Sequence, residues 1–210
     1  MQRLLLNGAI IVIVFYSIIL HEISHAWAAN WLGDDTAQRQ RRLSLNPLRH
    51  VDMFGTVILP LLLYFSAGFV FGYAKPVPIN PHNFRNFKRD SGLTAMAGPL
   101  ANILIAVIFA FVYHFTATNL FMAAISTYVI YLNLLLALFN LIPIPPLDGS
   151  KVLGMFLSDT AYYRWTLQER KGMMILIAVL IGSNLLGLNL VGKILMPVVN
   201  LCMHLLGVGL

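Results

Sequence analysis

The sequence predicts an all-α polytopic membrane protein, a bundle of about four to six transmembrane helices. A re-entrant or short β/loop element is expected between the first long helix and the one that opens near Ser91. Three observations lead there. Charged residues make up only 10% of the 210 residues and hydrophobic ones 59%, whereas soluble domains carry about 25% charged residues. Long uncharged runs recur along the chain, near the roughly 20 residues that a crossing needs. The basic residues behind the net charge of +6 lie in short loops beside those runs, as cytoplasmic loops do under the positive-inside rule.

The first helix is expected from Leu4 to Trp31, ended by Gly33-Asp34-Asp35. Thr36 to His50 is a basic stretch with Arg39, Arg41, Arg42 and Arg49; within it Arg42-Leu43-Ser44-Leu45 alternates as a short strand does. Met53 to Ala74 is a second uncharged segment, broken by Gly55, Pro60, Gly68 and Gly72. Tyr73 to Asp90 is a polar loop in which Pro76, Pro78 and Pro81 favour extended backbone. Two further helices are expected at Ser91–Phe115 and Leu120–Leu141, the second ending in a proline-rich turn up to Asp148-Gly149. Lys151 to Lys171 is mixed and amphipathic. Residues from about 172 to 208 are apolar again, as one helix with a tail or as a hairpin of two. The whole chain, 1–210, reads as one integral membrane domain with a core from about 4 to 155.

This composition excludes a separate extramembrane domain of ordinary size, and the dispersed loop charge is no nucleic-acid signature. A single cysteine, Cys202, rules out an intrachain disulfide and a cysteine-rich zinc site. The first apolar run reads as a retained helix and not a cleavable signal, because it is long and lacks a small-residue cleavage site. It also carries chemistry of its own. His21-Glu22-Ile23-Ser24-His25 places two imidazoles four residues apart on one helical face, the spacing of two ligands to one zinc, with Glu22 beside them as general base. Ionisable groups inside a membrane helix are costly and mark function.

A catalytic zinc takes three protein ligands and leaves a position open for water. Of the eight acids, only Glu22 and Asp148 have otherwise apolar surroundings, and Asp148 is the sole charged residue between Ser91 and Ser150. Asp148 is therefore the candidate third ligand; the alternative is an aspartate capping the helix that follows. The other candidates are weaker: His114 and His204 read as buried structure or interface, Cys202 as a small buried hydrophobe, and His50 and His82 lie in loops.

At this point the chain resembles the site-2 protease family of intramembrane zinc metalloproteases. The resemblance rests on His21-Glu22-Ile23-Ser24-His25, Ala97-Gly98-Pro99-Leu100-Ala101-Asn102, and Asn140-Leu141-Ile142-Pro143 through Leu147-Asp148-Gly149, in that order. The stretches around Asn46-Pro47 and Lys75-Pro76-Val77-Pro78 look like its small bacterial or archaeal branch. The resemblance implies one Zn2+ per chain on His21, His25 and Asp148, Glu22 as catalytic base, and Asn140 helping to hold substrate or the developing oxyanion. It implies peptide-bond hydrolysis within or next to transmembrane segments, on a membrane-spanning protein or a signal peptide. Two family features are expected to be missing: a PDZ domain or CBS pair, and a helix before the motif helix.

Both motif helices must descend toward one zinc. With the Arg-rich loop cytoplasmic, the protein is expected in the cell membrane as a multi-pass chain, its active site toward the cytoplasmic half. That parity leaves residues 53–72 with both ends on one side, hence a re-entrant hairpin bending near Pro60 or Gly68; an ordinary crossing is the alternative. The extended stretch Lys75 to Asn80 is expected to pair with unwound substrate as an added strand. A different functional class, a membrane zinc transporter or zinc sensor, would also place His and acid groups in the membrane and would use Glu22 as a ligand. Transporters often show internal repeats, and none is visible here. An inactive relative that binds membrane helices without cutting would have no need of Glu22.

Overall fold

An uncharged apolar run from Leu4 to Leu20 leads into the His21–His25 motif with no proline to break it, and the computed structural model folds the stretch into α1, Gln2–Trp31. The structure describes residues 2–58, 61, 62, 65 and 75–209. α1 stops where Gly33 adopts φ 113°, a left-handed conformation that side chains avoid. A short α2, Thr36–Arg39, follows, then a 3-10 turn at Pro47–Arg49 and a π-helical turn at Met53–Ile58. After the extended residues 75–80 and a 3-10 turn at Pro81–Asn83 come α3, Phe87–Thr116, and α4, Leu120–Asn140. α5, Asp148–Gly154, and α6, Asp159–Thr166, are short. α7, Glu169–Leu185, and α8, Leu190–Leu205, form the two-helix version of the apolar C-terminal region.

Among the described residues α1 (over Leu5–Trp31), α3 and α4 are long and apolar enough to cross a membrane. α3 is central, packed on α4, α1 and α5. Its small Ala106 and Ala110 let Ile130 and Leu134 of α4 and Val199 and Met203 of α8 close into one core. Leu104, Ile108 and Phe111 of α3, like Leu5, Ile11 and Val12 of α1, face outward uncovered by protein; the bilayer covers such surfaces. Trp27 and Trp31 are exposed and stacked at 6.0 Å near the end of α1, the aromatic pattern of a membrane–water interface.

Two expectations are corrected. Arg42–Leu45 is not a strand, and the described residues contain none. The Arg42 guanidinium instead donates to the carbonyls of Lys75, at 3.0 Å, and Pro76, at 3.4 Å, while Leu43 packs on Ala26, Ala37 and Val77. Such contacts satisfy the stretch without a ladder. α3 also begins four residues before Ser91. Asn86 caps it by accepting from Arg89 N–H at 3.1 Å, and the Asp90 carboxylate accepts from Asn86 N–H at 2.8 Å, a reciprocal arrangement like a capping box. The re-entrant bend expected near Pro60 or Gly68 lies outside the described residues.

The segment 75–83, extended residues and turn together and called the strap below, is tied down at its far end by Asp34. This buried carboxylate accepts from Asn80 N–H at 2.7 Å, the Asn83 amide at 2.8 Å, Thr36 N–H at 3.1 Å and the Thr36 hydroxyl. Burial works to raise its pKa, but the donors from Thr36, Asn80 and Asn83 prevail and hold it below the usual carboxylate value. A depressed folded pKa gives stability that is present above the unfolded value of about 3.9 and lost as pH falls through the folded one. Asp34→Asn is therefore expected to be less stable than wild type at pH 7, by about 1–3 kcal/mol. The gap should close as pH drops below about 4, which thermal unfolding in detergent across pH would measure.

Candidate metal centre and active-site cleft

The i, i+4 spacing in α1 turns His21 and His25 toward α3 and the start of α5. Both are buried, at 6% and 7% exposure, and their Nε2 atoms lie 3.0 Å apart. Asp148, in the first turn of α5, brings Oδ2 to 3.3 Å from each of them. No backbone N–H among the described residues bonds this carboxylate, so it does not act as the cap that was its alternative reading; Leu147 occupies the N-cap position. These three side chains form the one group among the described residues that could hold a metal ion.

The far sides of the imidazoles settle what faces inward. His25 Nδ1 lies 2.8 Å from the Thr94 carbonyl, which only accepts, so Nδ1–H donates. His21 Nδ1 lies 2.6 Å from Asn102 Oδ1. The Asn102 amide nitrogen is committed to Asn133 Oδ1 at 2.9 Å, and that of Asn133 to Ser17 Oγ at 3.1 Å and the Val129 carbonyl at 2.9 Å. This chain of donors fixes Asn102 Oδ1 as an acceptor and His21 Nδ1–H as a donor. In the neutral imidazoles both Nε2 lone pairs then converge with a carboxylate oxygen. That is an unfavourable arrangement unless a cation lies among them. Tetrahedral zinc with ligand bonds of about 2.0–2.1 Å separates its donors by about 3.3–3.4 Å, close to the spacing here, so the donor set fits zinc.

Sequence reasoning placed His21, His25, Glu22, Asp148 and Asn140, and the structure brings all five to one cleft of about 550 Å³. Glu22 is not in the ligand group; its Oε2 accepts from Val77 N–H of the strap at 3.0 Å. Asn140, the last residue of α4, lines the cleft and donates its amide to the Leu136 carbonyl at 2.9 Å. Lys151 and Glu169 also line it. His50, expected in a loop, and His114, expected to be structural or at an interface, bond the carbonyls of Ser44 at 2.7 Å and Leu206 at 2.9 Å. Cys202 packs against the core.

The orienting residues escaped the sequence reading. Asn102, Asn133 and Ser17 are all buried, at 0%, 1% and 2% exposure, and Gly98 lets α3 approach both histidines. One signal was available: an asparagine on an otherwise apolar membrane helix marks function by default. Asn102→Ala leaves His21 Nδ1 without its acceptor. Loss of such a partner typically costs 10–100-fold in metal affinity, and zinc competition with a chelator is expected to read a loss of that size at unchanged helix content.

The model of peptidase family M50 matches residues 115–183. The proposed zinc metalloprotease YwhC of Bacillus subtilis is 34% identical over 181 residues, which cover 82% of this chain and 80% of that protein. Two proposed zinc metalloproteases named Rip2 are more distant. The one from Mycolicibacterium smegmatis is 28% identical over 79% of this chain and 63% of its own length; the one from Mycobacterium tuberculosis is 26% identical over 72% and 60%. No solved structure matches the chain significantly. With a relative this similar along most of both chains, a matching family model and a buried donor set suited to zinc, the chain belongs to peptidase family M50, the site-2 proteases, and is a membrane zinc metalloprotease.

Proposed function

We propose that this metalloprotease hydrolyses peptide bonds within or next to the membrane-spanning segments of membrane-anchored proteins or signal peptides. It works as a single domain in the cell membrane, with its cleft toward the cytoplasmic half. The observation that carries the reading is Glu22: it borders a His21–His25–Asp148 donor set on an apolar, membrane-length helix, yet its carboxylate stands outside that set and faces the cleft. In a transporter or sensor Glu22 would be a ligand.

In this reading His21, His25 and Asp148 hold one Zn2+. Held there, the ion would supply Lewis-acid chemistry, lowering the pKa of a water toward about 7 and polarising the scissile carbonyl. Glu22, held in place by the Val77 N–H, takes the proton of the attacking water and passes it to the leaving amine. Asn140 lines the cleft, and its part in this reading is to hold substrate or the developing oxyanion. A helical substrate must unwind before its amides are exposed. Among the described residues the Ile79 N–H and the Val77 carbonyl have no hydrogen-bond partner, and both residues line the cleft. An unwound substrate can pair there as an added strand, although Pro76 and Pro78 limit the donors.

The test is cleavage of a labelled single-span substrate by purified enzyme in proteoliposomes. Wild type is expected to cut inside or beside the span, and Glu22→Gln to be slower by about 10²–10⁴-fold. Equal cutting by both, or cutting of soluble peptides only, would overturn the proposal.

A further inference from the structure

A second cavity, of about 400 Å³, lies apart from the catalytic cleft and is lined by Arg41, Arg42, Arg49 and Lys75. We propose that it binds a phosphate-bearing anion at the bilayer surface, namely the headgroup of an acidic phospholipid.

None of these four cations forms an ion pair among the described residues. Arg39 is paired with Asp35 at 2.8 Å and Lys88 with Asp159 at 2.8 Å, but Arg41, Arg42, Arg49 and Lys75 have no carboxylate partner. The only acid between Thr36 and Arg89 is Asp52, whose carboxylate accepts from Gly55 N–H at 2.7 Å. Four cations lining one cavity without an ion-pair partner repel one another, and a phosphate relieves that repulsion while accepting hydrogen bonds from several of them at once. Arg42 is already half-committed: one nitrogen donates to the Lys75 and Pro76 carbonyls, while its buried Nε has no partner. Arg41 is held in a left-handed conformation, φ 53°, beside it, with its carbonyl accepting from the Arg49 guanidinium.

Position favours a lipid over a soluble anion. The cavity is built from the chain just after α1, whose exposed Trp27 and Trp31 mark the interface. Leu45, Leu48, Met53 and Phe54, exposed by 54–80%, belong to the same stretch and offer apolar surface for acyl chains, which a free phosphate has no use for. Basic pockets at this depth are where acidic headgroups bind. Arg42 and Lys75 also anchor the near end of the strap whose Val77 N–H reaches Glu22, so the ligand would brace the catalytic side of the protein.

The experiment is native mass spectrometry of the purified full-length protein with phosphatidylglycerol and phosphatidylcholine, each alone and with excess inorganic phosphate. It compares wild type, Arg41→Gln/Lys75→Gln, and the charge-matched control Arg170→Gln/Lys171→Gln on exposed positions of α7. Neither the Arg41 nor the Lys75 side chain makes a hydrogen bond or ion pair among the described residues, so the first pair is expected to fold normally. Wild type should retain phosphatidylglycerol over phosphatidylcholine. The Arg41/Lys75 pair should lose that preference by about thirtyfold, as two interfacial charges imply, and the control should keep it. No preference in wild type, which needs no variant to observe, or equal loss in the control, overturns the site. Displacement of the lipid by inorganic phosphate overturns the lipid assignment in favour of a soluble anion.

Discussion

Asp148→Ala is expected to lower bound zinc from about one per chain to near none, while Glu22→Gln keeps it. The two acids are alike in charge and both border the cleft, so the contrast tests their roles directly. Asp148 Oδ2 stands 3.3 Å from both imidazole Nε2 atoms. Removing it leaves two ligands where catalytic zinc takes three. Glu22 instead receives the Val77 N–H at 3.0 Å. A glutamine of the same size keeps an oxygen for that bond, so the metal site should not notice the change. Hydrolysis should, because a neutral amide takes no proton. Elemental analysis of the purified variants decides. Zinc lost from Glu22→Gln would make Glu22 a ligand and revive the transporter or sensor reading. Zinc retained by Asp148→Ala would displace Asp148 as the third ligand.

The fold and the donor set were legible for different reasons. Apolar runs near membrane length leave few options for α1, α3 and α4, since every backbone polar group in lipid must be satisfied internally. Two histidines at i, i+4 share a face by helical geometry alone, and Asp148 stood out as the only charge in a long apolar region. What stayed hidden depends on contacts between distant segments. The alternation of Arg42 to Leu45 has the period of a strand, but the Arg42 guanidinium reaches the strap 33 residues away and removes the need for a ladder. The charges of Lys88, Arg89 and Asp90 looked like loop, although Asn86 and Asp90 together cap a helix there. Asn102, Asn133 and Ser17 come from three helices, and no spacing within one helix announces that they form a chain ending on His21.

Gly98 carries the second large prediction: Gly98→Ala is expected to cut zinc occupancy at least tenfold while leaving the fold intact. Inside a helix, Gly→Ala normally stabilises by about 0.5–1 kcal/mol. At Gly98 that gain meets an obstacle. An added Cβ would sit 2.5 Å from His25 Cε1 and 2.7 Å from His21 Cε1, and closer still to His25 Nε2. Overpacking of this kind costs about 1–3 kcal/mol, so the net change in stability is small or moderately unfavourable. The strain must be relieved by moving something. The helices are long and packed along their length, and His25 Nδ1 is tethered to the Thr94 carbonyl of α3 itself. The imidazole ring is the softest element, and its displacement separates Nε2 from Asp148. Gly182→Ala is the matched control, since a Cβ there meets nothing within 4 Å; it should bind zinc as wild type does and melt no lower. Zinc content and thermal unfolding measured on both variants distinguish a lost site from a lost fold. Full zinc occupancy in Gly98→Ala would mean that α3 can withdraw from α1 without disturbing the ligands, and the close approach of the two helices would then have no part in holding the metal.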